Sequence, residues 1–72
     1  MDSFKTIINL WPSVETFADD IGVSLKSAYK MRDRDSISPA HWLRVVHAAR
    51  KRKISGITFK SLAEVADRRA SA

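Results

Sequence analysis

Lys26, Tyr29 and Lys30 fall close together in a short stretch that Arg32 and Arg34 extend. On a helix, at ~100° per residue, Lys26, Tyr29, Lys30 and Asp33 share one arc of about 100°, opposite Ala28 and Met31. Leu25 and Arg32 lie on the flank of that wheel. A face of long, hydrogen-bonding and mostly cationic side chains suits a polyanion. A helix entering a major groove would present such a face, its N-terminal residues nearest the bases. Other chemistries lack their parts. The chain has no cysteine, which removes disulfides, thiolate nucleophiles and cysteine-ligated metals. His41 and His47 are six apart on different faces of one helix, with no third ligand at metal spacing. Glu15, Asp19 and Asp20 could imitate a carboxylate pair, but no nucleophile, glycine-rich phosphate loop or metal motif accompanies them. They read as a solvated helix face, and no catalysis, cofactor or metal is expected.

The charge is placed to match. The 72 residues carry a net +5. Residues 1–23 hold Lys5 against Asp2, Glu15, Asp19 and Asp20, whereas residues 24–53 hold nine Lys/Arg against Asp33 and Asp35. A basic middle beside an acidic start is what a polyanion-binding face needs. Apolar residues at 44% and charged residues at 29% describe an ordinary globular domain. No apolar run exceeds two residues, which excludes a membrane span or a signal-peptide core. A chain of this length allows one domain, residues 1–72, with little core to spare.

Stop and start signals predict an all-α bundle of about five short helices. Ser3 caps the first, which runs to Leu10 with Phe4, Ile7 and Ile8 on its inner face, and Trp11-Pro12 ends it. Ser13 caps the second, whose stripe is Val14, Phe17, Ala18 and Ile21, and Gly22 closes it in a left-handed conformation. Ser24 caps the third, running to Arg32–Arg34, and the segment 33–36 is a polar loop. Ser38-Pro39 opens the fourth, with Ile37 and Trp42 as a hydrophobic staple and Trp42, Leu43, Val46 and Ala49 as its stripe. That helix runs out into Arg50-Lys51-Arg52-Lys53, which either serves the helix dipole in solvent or touches a polyanion. After a turn at Ser55-Gly56, Thr58 caps a last helix over about 58–68. Its stripe is Phe59, Leu62, Ala63 and Ala66, with Val65 at the edge and Ile57 and Leu62 as a second staple. The tail from Arg69 to Ala72 is expected to fray.

The link Gly22-Val23-Ser24 is the most informative feature. Close approach of the two flanking helices wants a small residue at Ala18, the tight turn wants glycine, and Val23 plugs the crevice. Residues 13–34 resemble the helix-turn-helix of phage Cro and repressor proteins. The continuation Arg34-Asp-Ser-Ile-Ser-Pro-Ala-His-Trp resembles the short Cro-like group, in which an arginine-bearing loop leads into an Ile-x-Pro helix start. The resemblance covers residues 3–66 and implies a lambda-repressor-like fold. Met31 stands where this group often has tryptophan, and Ala28 where a larger aliphatic residue is common.

The resemblance implies a sequence-specific regulator that binds double-stranded DNA as a homodimer on an inverted repeat. Ser24, Leu25, Lys26, Ser27, Tyr29 and Lys30 match its recognition-helix positions. Lys26 is the residue expected to meet guanine O6 and N7, and Leu25 or the Tyr29 ring a thymine methyl. Ser24 is a cap that could also read a base, and Tyr29 could instead cover a core edge. Ser13 would bring a hydroxyl and backbone N–H groups to a phosphate, and Arg32 and Arg34 would clamp the backbone. The last helix either closes the monomer core or forms the dimer interface through Phe59, Leu62 and Val65. Repression in the cytoplasm, on the nucleoid, is the simplest expected role. The alternatives are an activator touching RNA polymerase with Glu15, Asp19 and Asp20, an antitoxin-like protein-interaction adaptor, or a non-specific nucleoid protein.

Overall fold

A computed structural model describes residues 3–71, and they form five α-helices with no strand among them. The helices are α1 (Phe4–Ile8), α2 (Val14–Ile21), α3 (Leu25–Asp33), α4 (Trp42–Lys51) and α5 (Phe59–Ser71), with a 3-10 turn over Pro39–His41 before α4. The all-α expectation holds. Among the described residues no helix is long and apolar enough to cross a membrane.

Four of the five helix starts are chemically specified. Ser3, Ser13 and Ser24 lie in extended conformation, and their hydroxyls accept from the amides of Thr6, Thr16 and Ser27, which satisfies donors that a helix start leaves open. Thr58 and Ser61 cap α5 reciprocally: each backbone amide donates to the other's hydroxyl, at 2.9 and 3.1 Å.

The ends of α2, α3 and α4 share one geometry. Gly22, Asp35 and Lys53 take left-handed φ values of 72°, 53° and 60°. The following amides, of Val23, Ser36 and Ile54, donate back to the carbonyls of Ala18, Met31 and Ala49. This is the Schellman closure, which reverses the chain within two residues and satisfies terminal carbonyls. Only at Gly22 does the sequence supply the residue that adopts the conformation without a Cβ clash.

One apolar cluster holds the helices together. Phe17, Ile7, Ile21, Val45 and Leu62 are fully buried at 0% exposure, and Met31, Trp42 and Val23 pack partly against them. Ala18 and Ala28 are buried between α2 and α3, so the pair approaches closely. Trp11, expected only as a helix terminator, is a core residue, its ring 5.0 Å from Phe17 in an edge-on contact. Burying that ring before Pro12 bends the chain early. The first helix therefore ends at Ile8 instead of reaching Leu10, which is exposed.

Four further expectations need correction. The fourth helix does not open directly on Ser38-Pro39: those residues lead into the 3-10 turn, and Ser38 makes no capping bond. The buried face of α4 is Val45, Val46, Ala48 and Ala49, while Leu43 is 54% exposed. The rotation follows Trp42, whose indole N–H donates to the Ile37 carbonyl at 2.9 Å and pins the start of the helix. Asp33 belongs to α3 and not to the loop, and α5 continues past residue 68 through Arg69 and Ala70. Ala72, part of the tail expected to fray, lies outside the described residues.

The left-handed closures predict opposite outcomes. Gly22→Ala should cost about 1–2 kcal/mol, since its Cβ would also sit 3.3 Å from the Arg44 guanidinium. Lys53→Gly should gain up to about 1 kcal/mol. Urea unfolding midpoints of the two variants check both signs.

Candidate nucleic-acid interface

The amides at the start of α3 point along its axis, so Ser24 both fixes where the helix begins and exposes its first turn. Ser24 donates to the Ser27 hydroxyl at 2.9 Å and accepts the Ser27 amide at 3.1 Å. Ser27 is half-buried against this cap, so only part of it faces solvent. Leu25 and Tyr29 are 39% and 38% exposed. Lys26 and Lys30 are exposed, and neither takes part in an ion pair among the described residues. Ala28 turns inward at 0% exposure. The outward face expected from the wheel is therefore the outward face of the folded chain.

The two arginines beyond it differ. The Arg32 guanidinium carbon lies 4.9 Å from the Tyr29 ring centroid, and its nitrogens reach Asp33 at 3.3 and 3.4 Å. Arg32 is thus half-buried and laid along the helix beside Tyr29. Arg34 caps the end of α3, its side chain exposed and in no ion pair among the described residues. Its carbonyl accepts from Arg69 of α5 at 2.9 Å. The start of α2 presents Ser13, exposed, its hydroxyl engaged by the Thr16 amide at 3.1 Å and the Thr16 hydroxyl at 2.9 Å.

Lys30 and Arg34 meet residues whose chemistry was not read from the sequence. With Met31, Ser36, Ser38 and His41 they line a shallow cavity of about 170 Å³ at the far end of α3. Sequence spacing gives His41 no partners for a metal and makes Ser38 only the opening of the fourth helix. The signal that could have joined them is the Schellman closure at Asp35, which folds residues 36–41 back beside the last turn of α3. Asp35 is held there because its carboxylate accepts the Lys5 amide at 2.9 Å.

The basic tract at the end of α4 does not act as one group. The Arg52 guanidinium grips the Asp20 carboxylate, with Nη2 at 3.1 Å from Oδ1, and the Trp11 indole N–H donates to the same carboxylate at 2.9 Å. Asp20 therefore does not belong to an open acidic face, although Glu15 and Asp19 are exposed. Leu62 and Val65 are buried in the core at 0% and 3%, so of the three residues expected at a dimer interface only Phe59, 50% exposed, faces outward. Among the described residues no group of three or more His, Asp or Glu is gathered as a metal would need.

The Asp20 contact carries a pH signature. Hydrogen bonding from Arg52, against partial burial and aided by Trp11, holds the Asp20 carboxyl below the usual carboxylate range. The ionised form is thus favoured in the fold. Its stabilisation is complete above ~pH 4 and is lost as pH falls through the lowered value. Asp20→Asn should flatten the acid limb of a plot of melting temperature against pH while lowering the plateau near neutrality.

No protein-family model, curated protein or solved structure matches the chain, so its activity has to be argued from these residues and their placement.

Proposed function

We propose that the chain is a sequence-specific regulator of transcription that binds double-stranded DNA as a homodimer on an inverted repeat. Its simplest action is repression by occupying a promoter. In this reading α2 and α3 form a helix-turn-helix, and α3 enters the major groove. The observation that carries it is the outward face of α3, where Lys26, Tyr29 and Lys30 stand exposed and both lysines lack an intramolecular ion pair among the described residues. An unpaired lysine can reach a guanine edge without first breaking a contact, and exposed Leu25 and Tyr29 offer apolar surface to a thymine methyl. Ser13 at the start of α2, and Lys30 and Arg34 at the end of α3, are spaced to meet phosphates on either side.

Size argues for pairing. The longest dimension is 31 Å, short of the ~34–36 Å between successive half-sites on one face of a duplex. One copy therefore reads one groove. Phe59, with exposed Ala63 one turn along α5, is the apolar surface offered to a second copy; Leu62 and Val65 support it from within.

Binding to selected and random duplex across salt concentrations tests the reading. A specific reader shows a log–log salt slope of about −0.9 per phosphate neutralised and a large preference for one sequence. No binding at low salt overturns it, and equal affinity for all sequences points to a non-specific nucleoid protein. Lys26→Ala should lose ~1–3 kcal/mol at one base position, whereas Arg34→Ala should weaken all sequences alike. For the dimer, Phe59→Asp should yield a folded monomer in sedimentation equilibrium, whereas Leu62→Ala should cost ~2–5 kcal/mol of folding stability.

A further inference from the structure

We propose that the cavity between the end of α3 and the 3-10 turn is a cradle for a single phosphate group. Lys30, Arg34 and His41 line it together with the hydroxyl-bearing Ser36 and Ser38 and the apolar Met31. Its volume of about 170 Å³ is several times the ~30 Å³ share of one water. A tetrahedral oxyanion fits with donors around it. No carboxylate lines the cavity. The nearest acids are committed elsewhere: Asp33 to Arg32 and Asp35 to the Lys5 amide. On the α5 side the facing charge is Arg69, bound to the Arg34 carbonyl. Ser38 makes no capping bond, so its hydroxyl is available to a ligand. Cationic N–H groups and hydroxyls are the donor set that phosphate oxygens accept from, in charge-assisted hydrogen bonds.

Every charged side chain lining the cavity besides His41 is a cation, so a phosphate entering it meets no like charge. The phosphate can be a duplex phosphodiester or free inorganic phosphate; only the first source rests on the DNA-binding reading above.

The test uses the full chain in three forms: unaltered, His41→Lys and, as a control on the exposed side of α4, His47→Lys. Amide and imidazole NMR shifts are followed on adding inorganic phosphate, against chloride at equal ionic strength and one fixed pH. Random-sequence duplex binding is measured in parallel. Phosphate-induced shifts should centre on residues 30–41, and His41→Lys, which adds a cation to the cradle, should bind phosphate ~5–10-fold more tightly, while His47→Lys binds as the unaltered chain does. Shifts centred elsewhere overturn the cradle, as does an equal gain in the two lysine variants. Phosphate-induced shifts without any duplex binding support the cradle as a free-phosphate site and remove the DNA reading instead.

Discussion

The left-handed turn at Gly22 is the constraint on which the rest of this small fold depends. Helices of eight to ten residues leave a large share of their backbone groups at the ends, where neither turn of hydrogen bonds reaches them. A Schellman closure satisfies two carbonyls and reverses the chain at once. At Gly22 it brings α3 against α2 at the small residues Ala18 and Ala28, and thereby fixes which side of α3 turns outward. The same closure recurs after α3 and α4 on residues that tolerate it less well. Asp35 has a reason to be there that glycine would lack, since its carboxylate holds the first turn of α1. Nothing in the structure explains Lys53 at the third.

A second regularity governs the charges. The side chains of Arg44 and Arg69 donate to the carbonyls of Ile21 and Arg34, at the C-terminal ends of α2 and α3. Each cation comes from a different helix and sits where the macrodipole is negative. Arg52 is held by Asp20 and Arg32 by Asp33 and Tyr29. Arg44, Arg52 and Arg69 thus tie helices together, whereas Lys26, Lys30 and Arg34, along and just after α3, are in no ion pair among the described residues. Surface charges of this kind add little to stability.

Local signals were legible in the sequence wherever one residue decides the geometry. The serine caps, the glycine closure and the inward turn of Ala28 all follow from residue type and spacing. Long-range packing was not legible. Whether Leu43 or Val45 faces the core depends on how Trp42 is pinned to Ile37, a contact that helical periodicity does not encode. Trp11 reads as a chain stop beside Pro12, yet its ring closes the core against Phe17. Leu62 and Val65 could serve a core or an interface on sequence alone, and only the position of α5 decides between them. The cavity beside Lys30 escaped notice for a similar reason. Its lining spans a helix end, a loop and a 3-10 turn, and the left-handed φ at Asp35 that joins them falls on a residue type that does not announce it.

The length of α3 bears on how the proposed reading and holding groups divide the work. Lys26 and Arg34 are eight residues apart, which is ~12 Å of helical rise. The major groove is itself ~12 Å wide. If α3 lay straight across such a groove with its first turn over base edges, its last turn would meet a phosphate strand and not another base. Side chains that read bases must keep their donors free and directional, which fits the unpaired Lys26. Side chains that hold a phosphate benefit from converging, which fits Lys30 and Arg34 beside His41. One helix of nine residues can supply both because its two ends are anchored separately, the first by Ser24 and Gly22 and the last by Asp35 and Arg69.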